Sequence, residues 1–413
     1  MKIGFERARL GPRHAACFEE QPAPRDSRFR HQVYTDGPPT SACIRLRPTP
    51  GPALGSGETR FRLRRAGEVL RAADVGAIYV VQGTFAALDT VDALAELARQ
   101  YPEGRPAIAQ LVRQMFDPAA GDPGRFTARY ADALETLLAA GGEPIPVRML
   151  DWSCENHHLG RADAAVRLID ELAALELPPQ KRVLLWGHGH AGNAFALASN
   201  LLAGDPQAVE QFFAAAAIYY RFPMTGVVDV PIWQRVHRLL VDLPQTLAER
   251  PLDFVTFGTP IRYGWRLRGG DALLHFVNHR PLDGLPPHRT LFPPTLADVL
   301  QAAGGDYLQQ LGIAGSDTPP SRTAWRARLA DRKLEALFQC DLPSGSLVER
   351  LKLGMRAAET GMTLLVDYGP PAGELSQHLA GHAVYARSEW LLFHVEEAAR
   401  RLYASGALNT QAA

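Results

Sequence analysis

Arg182-Val183-Leu184-Leu185-Trp186-Gly187-His188-Gly189-His190-Ala191-Gly192-Asn193-Ala194-Phe195-Ala196-Leu197 is the stretch whose reading decides the fold. A short apolar run, Val183 to Trp186, stops at a turn of glycine and histidine. Small residues at helical spacing follow at once. Glycine and alanine beside the turn carry no bulk, so a strand and the helix after it can approach closely. The pattern predicts a strand that ends in a tight turn and feeds directly into a helix.

Strand-like runs of the same form recur on both sides. They are Ala77-Ile78-Tyr79-Val80-Val81, Pro146-Val147-Arg148-Met149-Leu150, Leu252-Asp253-Phe254-Val255-Thr256-Phe257, Leu273-Leu274-His275-Phe276-Val277 and Thr363-Leu364-Leu365-Val366. Runs buried on both faces belong to the inner strands of a parallel sheet. Helical apolar spacing fills several of the gaps, at 161–176 and 191–203, and closes the chain at 388–402. Strands and helices alternating in this way predict an α/β fold, a doubly wound and mostly parallel sheet with helices on both faces. Residues 1–45 are polar, rich in Pro, Arg and Gly, and predict an irregular N-terminal arm, leaving 46–413 as one domain. Two short half-exposed strands are expected at Cys43-Ile44-Arg45-Leu46-Arg47 and Arg60-Phe61-Arg62-Leu63-Arg64, where polar and apolar residues alternate. Two insertions interrupt the alternation, at about 100–145 and 284–361. Ligands of open α/β sheets bind outside the carboxyl ends of the strands, so both insertions are expected to serve as a helical cap or lid.

Bulk properties narrow the function classes. The 413 residues carry 44 basic and 44 acidic side chains, and no basic stripe gathers the arginines, so no nucleic-acid partner is expected. No run approaches the roughly 18 apolar residues of a membrane span, and the first residues lack the apolar core of a secretory signal. Cys17, Cys43, Cys154 and Cys340 stand far apart without metal-type spacing, as reduced thiols of a cytoplasmic protein would. An integral membrane segment is not expected, and the cytoplasm is the expected location.

Strand, glycine-flanked turn and small-residue helix also describe a nucleophile elbow, which lifts one side chain above the sheet end on a strained turn. In the spacing Gly-x-Ser-x-Gly, the serine position falls on Gly189. Ser199 is too far along the helix to replace it, roughly 15 Å from the turn. With its other landmarks, spread from residue 77 to about 402, the chain resembles serine esterases and triacylglycerol lipases of the α/β-hydrolase superfamily. Val81-Gln82-Gly83-Thr84-Phe85 resembles the family's first oxyanion loop, with Gln82 where many relatives have histidine. Val255-Thr256-Phe257-Gly258-Thr259-Pro260 resembles the strand and turn after the nucleophile helix. Phe276-Val277-Asn278-His279-Arg280-Pro281-Leu282-Asp283 resembles the strand and loop that carry the acid. Gly381-His382-Ala383-Val384-Tyr385 resembles the loop of the catalytic histidine.

The resemblance implies His382 as general base, Asp283 as the acid that orients it, with Asp367 as the alternative acid. It implies an oxyanion hole from the backbone N–H groups of Thr84 or Phe85 and of His190. The family needs no cofactor, and none is expected here. His188 and His190 form an H-x-H pair, but a zinc site wants a third ligand and only His382 is in prospect, so no metal is expected. Cys154 lies near the implied pocket but on the wrong strand to act as nucleophile, and Asp151-Trp152-Ser153-Cys154-Glu155-Asn156 reads equally as ligand contact or as turn and helix cap. Two functions follow. One is a carboxylic-ester hydrolase lineage whose activity is in doubt without the serine. The other is a pseudo-hydrolase that binds a small acyl or ester-like ligand, or a protein partner.

Overall fold

The computed structural model describes residue 29 and residues 41–83, 124–139, 142–286, 289–290, 298, 301–314, 317–338, 358–373 and 375–403. Seven strands form one sheet: β1 (Ala42–Leu46), β2 (Val75–Val81), β3 (Val147–Met149), β4 (Arg182–His188), β5 (Leu252–Phe257), β6 (Ala272–Asn278) and β7 (Met362–Val366). Their order is β1-β7-β6-β5-β4-β2-β3, and every neighbouring pair is parallel. The expected α/β class and parallel sheet are both present.

Parallel strands need crossovers, and helices supply them. They are α1 (Gly57–Ala72), α2 (Ala128–Ala139), α3 (His158–Ala173), α4 (Ala191–Leu202), α5 (Pro206–Tyr220), α6 (Pro231–Val241), α7 (Tyr307–Ala314), α8 (Trp325–Phe338) and α9 (Ser388–Leu402). Successive strand residues point to opposite faces, which divides the core in two. Ala77, Tyr79, Val183, Leu185 and Phe254 join the core under α3, α4 and α5. Ile78, Val80, Leu184, Trp186 and Val255 join the core under α1, α2 and α9. Among the described residues, no helix is long and apolar enough to cross a membrane.

Two expectations change. Residues 60–64 lie inside α1, not in a strand. The buried side chains Thr59, Leu63, Ala66, Gly67 and Leu70 recur at helical spacing, and Ser56 caps the helix by accepting from the Thr59 amide. The alternation Arg-Phe-Arg-Leu-Arg covers too few residues to separate a period of 2 from one of 3.6. At the other end of that segment, Cys43 to Leu46 do form a strand, which pairs with β7 and draws the last residues of the expected arm into the sheet.

The chain passes from β2 out to β3 at the edge, then returns across β2 to β4. That reversal leaves a crevice between the carboxyl ends of β2 and β4, where ligands of open α/β sheets bind.

Two ion pairs of the same geometry show what burial does to their worth. Arg182 grips Asp253 through two bonds of 2.7 Å, and Tyr403 adds a third at 2.8 Å. The Asp253 side chain is fully buried. Arg235 grips Asp170 just as bidentately, but its side chain is 55% exposed. Removing one partner of a buried pair strands the other, whereas an exposed pair is screened by water. Asp253→Ala is expected to lower unfolding free energy by about 3 kcal/mol, and Asp170→Ala by less than about 1 kcal/mol. Urea midpoints at constant m-value measure both; equal losses would contradict the burial argument.

Candidate functional site

Gly189 stands at the apex of the turn between β4 and α4, with φ of +54°, in the left-handed region. A side chain there would cost about 1 kcal/mol of backbone strain. The turn is fixed from below: the Gly189 amide donates to Phe257 O at 2.8 Å, and Thr259 Oγ1 donates to Gly189 O at 2.8 Å. A strand, a left-handed glycine turn and a helix thus follow one another at the crevice.

Beside it lies His382, reached through the left-handed residues Ala380 and Gly381 after β7. Its Nδ1 is 2.6 Å from Asp306 Oδ2, and both side chains are fully buried. A carboxylate accepts, so the proton sits on Nδ1 and Nε2 carries the lone pair. Tyr385 donates to the same Asp306 oxygen at 3.1 Å, and its hydroxyl accepts from the Asn278 amide at 2.6 Å. The other Asp306 oxygen caps α7 by accepting from the Gln309 amide at 2.9 Å. Two neighbours on one oxygen and a helix cap on the other leave the carboxylate little freedom to turn.

The acid is where the sequence reading needs correction. Asp283 is exposed in a turn after β6. Asp367 faces Arg280 and Arg47, each at 3.6 Å, and caps its own turn through the Gly369 amide. Neither meets His382. Asp306 follows β6 in the chain as Asp283 does, but it lies 23 residues further on, inside the stretch expected as an insertion. A signal was there: Gly304-Gly305-Asp306 ahead of a helix, with Gln309 three residues on, is an N-cap pattern.

The remaining expected site residues are placed as follows. Thr84 and Phe85 lie outside the described residues. Gly83, just before them, presses on the elbow backbone: a Cβ there would come within 2.6 Å of the His190 amide nitrogen. The His190 side chain points away into a buried polar cluster. Its Nδ1 accepts from Arg161 and from Asn193, each at 3.2 Å. Arg161 also donates to Tyr263 OH at 2.8 Å and to Asp317 Oδ1 at 2.8 Å, and Asp317 receives Arg262 as well. Burial and the Arg161 charge hold the His190 pKa well below its usual range, so it stays neutral. The His188 ring lies against that of His382, tilted by 30° with centroids 4.3 Å apart, and Gln82 Nε2 lies 3.2 Å from the His188 Nδ1. Burial, and then the neighbouring His382, push the His188 pKa well down. Cys154 donates to Gln82 O at 3.4 Å, beside Trp152 Nε1 at 2.6 Å, which places β3's loop against the turn after β2.

No group of three His, Cys, Asp or Glu residues is placed to hold a metal ion among the described residues. A small cavity across β5, bordered by Asn193, Thr259, His275 and Gln309, has room for about one water molecule. That is far below the roughly 300 Å³ of a ligand pocket.

Chemically, the arrangement is an acid-oriented imidazole against a buried backbone turn: it can accept a proton at Nε2 and hold negative charge at the helix start. It holds no hydroxyl or thiol at the apex. Compared with known proteins, the chain matches no family model, no curated protein and no solved structure.

Two measurements probe this geometry. A charge-assisted bond this short moves its proton far downfield in ¹H NMR. The His382 Nδ1–H resonance is expected there, lost in Asp306→Asn and kept in Asp283→Asn and Asp367→Asn; loss in either of the latter would contradict the assignment. Acid sensitivity is the second. Burial lowers the His275 pKa to about 4, against 6.5 for the ordinary group. The unfolded chain therefore takes up this proton first, so the stability it contributes is present above about pH 6.5 and is lost as pH falls towards 4. One such histidine adds a slope of about 1.4 kcal/mol per pH unit in that window. His275→Gln is expected to flatten the pH dependence of the urea midpoint between pH 6 and 4.5 by that amount, and an unchanged slope would contradict it.

Proposed function

We propose that this chain is an α/β-hydrolase of carboxylic-ester hydrolase lineage whose site binds a small acyl or ester-like ligand without serine chemistry. The observation that carries the reading is the buried Asp306–His382 pair beside a left-handed turn at the strand-order reversal. An isolated Asp–His pair has many uses, but this one is assembled in a particular chain order. The elbow follows β4, the carboxylate follows β6 and the imidazole follows β7. Elbow, acid and histidine in that order are how the α/β-hydrolase fold builds its triad.

Each retained part has a role in ester chemistry. His382 Nε2 is the base, and Asp306 fixes its tautomer and would balance the charge of its protonated form. The His190 amide at the start of α4 is the donor for a developing oxyanion, where the helix dipole also favours negative charge. Gly189 supplies no nucleophile, so no acyl-enzyme forms. This absence favours ligand binding over turnover, since removing a triad member ordinarily costs several orders of magnitude in rate.

Restoring the missing group is the test. Gly189→Ser is expected to react with a fluorophosphonate probe to which the protein as it stands is inert. Adding His382→Ala or Asp306→Asn to that variant is expected to slow labelling by about a thousandfold or more, whereas adding Asp283→Asn leaves it unchanged. A folded Gly189→Ser protein that stays unlabelled would sink the lineage reading. Hydrolysis of p-nitrophenyl esters by the unaltered protein, abolished by His382→Ala, would overturn the claim that it binds without turnover.

A further inference from the structure

Five of the eight large apolar side chains that stand exposed among the described residues fall on two neighbouring pieces of chain. Among the described residues, Phe222 is 43% exposed, Met224 91%, Val227 60%, Trp325 56% and Leu329 37%. The first three sit on a hairpin that follows α5, closed by the Arg221–Val228 bridge and by Phe222 N donating to Val227 O at 2.8 Å. Trp325 and Leu329 are one turn apart on α8 and share a face. Arg326 joins the two pieces. It donates to Ile218 O at 2.7 Å and Tyr219 O at 2.9 Å, pairs with Asp229, and lies 5.4 Å over the Phe222 ring. Hairpin and helix therefore present one fixed surface, and its tip is shaped by backbone bonds with Met224 standing free of packing.

The rim of this surface is positive. Arg322, Arg332 and Lys333 are exposed, and Arg328 is half-buried. Of the nearby acids, Asp229 is taken by Arg326, Asp331 turns inward to cap the Leu159 amide at 2.8 Å, and Glu335 alone stands exposed on α8 against these four. The chain as a whole carries no net charge, so this is a local excess and not a property of composition. The Asp331 bond also fixes where the surface lies: it ties α8 to the start of α3, at the same sheet edge as the crevice.

We propose that the Phe222–Val227 hairpin and the Trp325 face of α8 dock on an anionic lipid surface. A protruding tip of Met, Phe and Val, a Trp beside it and a ring of Arg and Lys match the two requirements of interfacial binding, apolar insertion and attraction to acidic headgroups. A protein partner of ordinary affinity would need a complementary face of some 800 Å² on this chain, whereas membrane insertion needs only a protruding apolar residue such as Met224, 91% exposed.

Co-sedimentation with vesicles tests the proposal independently of any chemistry at Gly189. The whole chain is expected to bind vesicles containing phosphatidylglycerol at least tenfold more tightly than pure phosphatidylcholine, with binding weakened by salt. Met224→Asp, a fully surface change, is expected to reduce that binding tenfold or more. Arg322→Gln with Arg332→Gln and Lys333→Gln is expected to do the same, and Met149→Asp, at an exposed apolar residue elsewhere, to leave it unchanged. No binding to the anionic vesicles, or equal binding by Met224→Asp, overturns the proposal. Self-association that Met224→Asp abolishes, without vesicle binding, would instead assign the surface to a second copy of this chain.

Discussion

At the carboxyl end of β5 a glycine leaves a space that side chains from two separate connections fill. A Cβ at Gly258 would stand 2.6 Å from Asp306 Oδ2, 2.8 Å from His382 Cε1 and 2.5 Å from Tyr385 Cε2. With φ of +57°, the residue also turns the chain sharply away from the strand axis. Without that space the carboxylate and the imidazole could not meet at 2.6 Å over the strand end. The elbow depends on the same point, because the amide of Gly189 bonds to Phe257 O, one residue earlier. A single unobstructed strand end thus sets acid, base and turn against one another, and any larger residue would push all three apart.

The parallel sheet holds that arrangement at low conformational cost. Each participating loop leaves a strand buried on both faces, so its starting point is fixed by core packing before the loop begins. Hydrogen bonds then do what packing cannot. Asp306 is held at both oxygens, Gln82 steadies the ring of His188, and Arg161 with Asp317 anchors His190 from behind. Burying Arg161 demands this many partners, since an unpaired guanidinium in the core would be costly. The cluster ties the elbow to residue 317, from the long connection between β6 and β7.

Most of the sheet was legible because inner parallel strands are continuous apolar runs, and Val183–Trp186 or Leu252–Phe257 admit few other readings. The last helix was legible for the opposite reason, its apolar residues recurring cleanly at helical spacing over 388–402. Residues 60–64 misled because five alternating residues fit two periods, and only Thr59, Ala66 and Leu70 outside that window decide for a helix. In the site, Gly189 and His382 could be placed from local motifs, since Gly189 directly follows β4 and His382 follows Gly381 shortly before the helix at 388–402. The acid could not be placed by proximity to its strand. Asp306 reaches His382 only because the connection after β6 makes a long excursion and returns, with the Asp306 amide donating to Asn278 O at 2.9 Å. A sequence shows where a loop starts, but not which of its residues the loop brings back. Arg161 and Asp317 are a similar case: they pair across 156 residues of chain, and nothing local marks them.

We propose that Asp306, His382 and the Gly189 turn form one site that lacks a nucleophile. The most direct measurement is a crystal structure of the Gly189→Ser protein after reaction with a small phosphonate ester. A covalent adduct on the new Oγ is expected, with His382 Nε2 within hydrogen-bond distance of that oxygen and the phosphoryl oxygen received by the His190 amide. A serine turned away from His382, or an adduct on another residue, would contradict it.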